Sequence, residues 1–81
     1  MRSIYVLNHW WVIVGQPTGG DETTLNLKDA AVIRRWGTAN GLGQLAKAGP
    51  QGGTILDPIE VLNLNRASII MAMPCQTDNW P

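Results

Sequence analysis

Two arginines, a tryptophan and a cluster of glycines stand close together in this chain: Arg34, Arg35, Trp36, Gly37, Thr38, Asn40, Gly41 and Gly43. Each type has a chemistry. A guanidinium can grip a phosphate with two parallel hydrogen bonds. An indole can stack a base, worth ~1–3 kcal/mol in single-strand binders. Backbone N–H groups ahead of a helix favour an anion. Together they describe a corner for a planar, anionic ligand such as a nucleotide. The same residues also make a strand–turn–helix corner that binds nothing, and both readings stand. Alternation along a strand sends Arg34 and Arg35 to opposite faces, so only one reaches a given ligand. Gly41-Leu42-Gly43-Gln44-Leu45-Ala46 formally matches G-x-G-x-x-A, with Glu60 downstream as a ribose partner. That fingerprint needs a parallel βαβ unit in a doubly wound domain, for which the chain is too short.

A second candidate group is His9, Trp10 and Trp11. His9 is the only histidine and falls in a predicted turn. It has no companion at metal-ligand spacing, so no metal site is expected, and no evident nucleophile to serve as a base. Adjacent tryptophans in a strand send one indole to each face. One belongs to the core, and the other is exposed, covered by the tail, in a ligand pocket or at a subunit contact, where aromatics are enriched. Asp29, Asp57, Glu60 and Asp78 show no paired-carboxylate spacing, and Asp57-Pro58 reads as a turn. Cys75 reads as a semi-buried structural thiol. Met71 and Met73 share a strand face and read as core filler. Nothing forms a catalytic constellation, so the expectation is a non-enzyme without a cofactor.

The elements that must position these residues follow from 81 residues read as one domain, 1–81, with a tail at 75–81. The formal charge is zero, six basic residues against six acidic. That excludes a bulk nucleic-acid footprint and attraction to anionic membranes. No apolar run reaches the ~20 residues of a membrane span, and the N-terminus does not read as a signal peptide. A single cysteine permits no intramolecular disulfide and suits a reducing cytoplasm. A core this small favours an added oligomer interface.

Ser3–Leu7 and Trp10–Val14 read as a hairpin turning at Asn8-His9. Gly15–Glu22 reads as a polar loop and Thr23–Leu27 as a half-buried strand. Lys28-Asp29 breaks that pattern, and Ala30–Trp36 reads as another strand. Leu42, Leu45 and Ala46 mark a two-turn helix over 41–48, capped by Thr38 or Asn40 and stopped by Gly49-Pro50. Thr54–Leu56, the alternating 60–64 segment and Ser68–Met73 read as later strands. The expected class is α+β: a small, curved, mostly antiparallel sheet or partial barrel with one short helix.

The block Asp29-Ala30, Arg34-Arg35-Trp36-Gly37-Thr38, Gly41-Leu42, Leu45-Ala46, Gly49-Pro50 and Thr54 resembles a family of small phage- and prophage-encoded proteins of unknown function. Cys75-Gln76-Thr77 and Trp80 look like that family's tail, here in shortened form. The resemblance implies phage origin and a host-cytoplasm setting, and supplies no catalytic residues. With it, the expected function is an anti-defence accessory protein that binds and sequesters a nucleotide-derived signalling molecule as a homo-oligomer. The alternative is a protein-interaction module that inhibits a host protein, or a minor virion component.

Overall fold

The computed structural model describes residues 1–81. It contains β1 (Ser3–Leu7), β2 (Val12–Gly20), β3 (Thr24–Arg35), α1 (Leu42–Ala48), β4 (Ile55–Asn65) and β5 (Ile69–Pro74). Short 3-10 turns at Asn8–Trp10 and Arg66–Ser68 lead into β2 and β5. The strands form one sheet in the order β4-β3-β2-β1-β5, and every neighbouring pair is antiparallel. The class is α+β, as the patterning predicts. The ladder does not close into a barrel, because β4 and β5 are not paired and remain the two edges.

Alternation divides the side chains between the faces. Ile4, Val12, Val14, Ala31 and Ile33 pack with Leu45 and Ala46 of α1 and with Cys75 and Trp80 of the tail. Tyr5, Ile13, Leu25, Leu27, Ala30 and Leu64 form the core of the other face, where no helix lies. The tail is tied down by backbone bonds from Cys75 N to Arg2 O (2.9 Å) and from Gln76 N to Ala46 O (2.8 Å). These hold Trp80 in the core beside α1.

Three strands run further than local propensity allows. The expected loop at 15–22 is mostly the second half of β2. The break at Lys28-Asp29 lies inside a continuous twelve-residue β3. The expected Asp57-Pro58 turn lies inside an eleven-residue β4. Cross-strand pairing overrides turn chemistry, and bulges absorb the misfit. The β3–β4 register shifts on both sides of Ala30. Asp29 (φ 50°) and Glu60 (φ 77°) take the left-handed backbone there. Pro58 is tolerated because β4 is an edge strand, where a missing N–H breaks no interior ladder. Gly15 faces Leu27 across the β2 irregularity, where an added Cβ would lie 3.0 Å from the leucine Cδ1. The small residue lets β2 and β3 approach while both bend.

Candidate functional site

The glycine corner comes first in chain order. β3 ends at Arg35, leaving Trp36 just outside the strand. Gly37 (φ 68°) reverses the chain so tightly that a Cβ there would lie 2.2 Å from the carbonyl carbon of Gly53 and from the amide nitrogen of Thr54. The Thr54 hydroxyl donates to Trp36 O (2.6 Å) and accepts from Gln51 N (2.8 Å). The Thr38 hydroxyl donates to the Gly41 carbonyl. The Asn40 amide donates to Gln44 Oε1 (2.7 Å). Neither Thr38 nor Asn40 caps α1, correcting the expectation. The cap position is Gly41, with no side-chain bond, and the helix has seven residues beginning at Leu42. Much of the corner's hydrogen-bonding capacity is spent within the corner. The G-x-G-x-x-A match also falls, because α1 links antiparallel strands.

Arg34 and Arg35 diverge as alternation requires. Arg34 grips Asp57 of β4 with two bonds, Nε to Oδ2 at 3.0 Å and Nη2 to Oδ1 at 3.1 Å. The pair is solvent-exposed, so it adds little stability, but it neutralises the Arg34 charge. Arg35 is exposed and has no hydrogen-bond or ion-pair partner. It lines none of the cavities.

The tryptophans depart most from expectation. Trp10 is 81% exposed and Trp11 58%, so neither indole of the pair belongs to the core. The β1–β2 connection is a 3-10 turn in which His9 (φ 62°) and Trp10 (φ 63°) both have left-handed backbone, an uncommon state for bulky side chains. Trp36 is 42% exposed. Trp10 and Trp36, far apart in sequence, line one groove of about 470 Å³ with Arg34, Leu42, Met71 and Met73. A neighbouring depression of about 420 Å³ shares Trp10 and Arg34 and adds Trp11 and Asp57. Met71, read from sequence as core filler, is 50% exposed, and Met73 is half-buried. Their i, i+2 spacing was visible, but nothing local shows that β5 is an edge and leaves that face open.

The structure therefore joins parts of both candidate groups. Trp10, Arg34, Trp36 and Gly43 meet in the groove, and Trp11 adjoins it. His9, Arg35, Gly37, Thr38, Asn40 and Gly41 do not line it. Val6, Val12, Ile33, Leu42, Met71 and Met73 complete it, a set that sequence reasoning did not assemble. A third cavity, about 200 Å³, lies beside the chain ends among Arg2, Asp29, Glu60 and Trp80. The Trp80 Nε1 is buried without a hydrogen-bond partner.

The titrating groups add no reactive centre. Burial raises the Cys75 thiol above its ordinary value, opposed by the Arg2 charge, so the thiolate is disfavoured. Asp21 is held below its ordinary value by bonds from the Thr23 and Thr24 amides and the Thr23 hydroxyl. No three His, Cys, Asp or Glu side chains gather as a metal-binding group. No helix is long and apolar enough to cross a membrane.

No family model matches the chain, and no curated protein or solved structure is significantly similar to it.

Proposed function

We propose that the protein is a non-enzymatic interaction module whose Trp10–Trp36–Met71 groove takes apolar side chains of a partner protein. In the phage setting that the resemblance implies, the partner is a host-cytoplasm protein, and binding inhibits it. One observation carries the reading. Large aromatic and thioether side chains stay exposed around a groove whose only charge, Arg34, is already paired with Asp57. Exposed apolar patches rimmed by polar residues mark interaction sites, and methionine adapts to varied partners.

A nucleotide-derived ligand is the second reading. It keeps Trp10 and Trp36 as stacking planes and a volume suited to a small molecule. It lacks the amide cradle, because Gly37, Thr38, Asn40 and Gly41 do not line the groove, and its phosphate must compete with Asp57 for Arg34. The charge balance therefore favours the protein partner.

Immobilised protein, challenged with host lysate, tests the first reading. The wild type retains a defined partner, and the Trp10→Ala/Met71→Ala variant does not. A nucleotide panel leaves tryptophan emission and the thermal midpoint unchanged. A nucleotide that shifts both, with no protein retained, transfers the function to the second reading.

We also infer that the sheet bends into a partial barrel. The Tyr5, Ile13, Leu27 and Leu64 face is buried with no helix upon it, which curvature of the sheet explains. Arg66–Ser68 alone join β4 to β5, from one sheet edge to the other. In a flat five-stranded sheet those edges lie about 19 Å apart, whereas Asn65 to Ile69 reaches at most about 14 Å. Methyl contacts between Leu64 and Ile69 in a nuclear Overhauser spectrum are expected, and a lack of any contact across the two edges contradicts the inference.

A further inference from the structure

The two open edges of the sheet are built differently. Along β4 stand Asp57, Pro58 and Glu60, and Glu60 sits in a bulge with φ 77°. Charges, proline and bulges are the devices that blunt an edge against pairing. β5, Ile-Ile-Met-Ala-Met-Pro, carries no charge at all. Its one irregularity against β1 is at Ile70, and Met71–Pro74 pair regularly with Ser3–Val6. Ile70 is 53% exposed and Met71 50%. Pro74 closes the strand rather than interrupting it.

We propose that a second copy of this chain covers the β5 edge, pairing β5 antiparallel with β5 across a two-fold axis. Two observations and one symmetry argument favour a second copy as the occupant. The strand is uncharged, so identical residues meet without the like-charge repulsion that penalises cross-strand pairs. The whole chain has a formal charge of zero, and a molecule without net charge has no long-range repulsion between copies. A two-fold pairing is self-complementary, and one patch serves both subunits. With the axis perpendicular to the sheet, both copies keep the same face on the same side. Met71 and Met73 of each then stand beside those of the other, and the two Trp10–Trp36 grooves become one cleft. Six edge residues alone bury less than the ~1,600 Å² of a standard interface, so Met71 and Ile70 side chains must supply contact area. Met71 belongs to both this interface and the groove of the host-partner reading, but the mass of the chain in the absence of any partner, and the Ile70→Lys variant outside the groove lining, test the interface separately from that reading.

Light scattering on size-exclusion fractions over a range of concentrations tests it, with far-UV circular dichroism as the control for folding. The wild type is expected at twice the 8.8 kDa chain mass. Ile70→Lys and, separately, Met71→Lys are expected at the mass of one chain with unchanged dichroism. Val61→Lys, a change on the β4 edge at a residue 70% exposed, is expected to remain paired. A wild type of single-chain mass at every concentration overturns the proposal. So does pairing that survives both β5 lysines, or that the Val61→Lys change dissolves. If both β5 variants unfold, amide exchange in the wild type decides. Met71–Met73 amides that slow with rising concentration support the interface, and concentration-independent exchange there overturns it.

Discussion

The glycine corner and the tryptophan groove lie side by side and share Trp36, yet they are opposite kinds of surface. In the corner, polar groups find partners inside the corner itself: Thr38 with Gly41, Asn40 with Gln44, and Gln51 and Trp36 with Thr54. In the groove, large apolar side chains find too few partners and stay in water. A polar group that is already bonded has little left to offer a ligand, and its loss costs folding. An apolar side chain left in water has its stabilisation still to gain when something covers it. The residue types that look most like a binding motif are thus the ones that build the turn. The residues that look like filler are the ones left open.

The contrast breaks most readily at Gly37. A Cβ there meets backbone rather than a movable side chain, on top of a left-handed φ of 68°. Gly37→Ala is expected to cost on the order of 3 kcal/mol in urea denaturation. A loss under about 0.5 kcal/mol would mean that the corner is plastic. Leu45→Ala, at a fully buried position of the helix-side core, is expected to cost a similar ~2–5 kcal/mol, which calibrates the corner against ordinary packing. The groove should behave inversely. Trp10→Ala removes a side chain that is mostly in water, so its stability cost should stay within about 1 kcal/mol. Partner affinity should fall tenfold or more, because aromatic anchors dominate interfaces.

Asp57→Asn sharpens the comparison between ligand classes. It should change stability by no more than about 1 kcal/mol, since the pair is exposed. It also frees Arg34. A nucleotide that binds the variant and not the wild type would show that the groove's cation was masked, whereas indifference to nucleotides in both fits a protein partner.

The smallest effects are in pH. The Asp21 carboxyl is depressed below 3.8 by the Thr23 and Thr24 amides. Its contribution is present above that value and lost as pH falls through the lowered one. Asp21→Ala should flatten the acid limb of the stability curve. The Cys75 thiol is raised above 9.0, so its contribution is complete below that value and lost as pH rises toward the raised one. The native thiol should react slowly with a disulfide reagent at neutral pH and quickly once denatured.

Much of the fold is legible in the chain. β1, α1, β5 and the α+β class follow from alternation, helical spacing and Gly49-Pro50. What local reading misses is continuity. Lys28-Asp29 and Asp57-Pro58 are turn signals, and only the pairing of β3 with β4 over most of their length turns them into bulges. The site is legible by half. Arg34 and Trp36 stand out as types, but their meeting with Trp10, Met71 and Met73 depends on strand order, which places β5 beside β1 at an edge. No spacing within the chain encodes that.

The most direct test of the groove as the binding surface is partner retention by two folded variants measured in parallel. Trp10→Ala/Met71→Ala changes the groove, and Arg35→Ala/Asn40→Ala changes the corner while leaving Gly37 intact. The groove variant is expected to lose the protein that the wild type retains, and the corner variant to keep it. Retention by the groove variant with loss in the corner variant, or no protein retained by the wild type, would contradict the account.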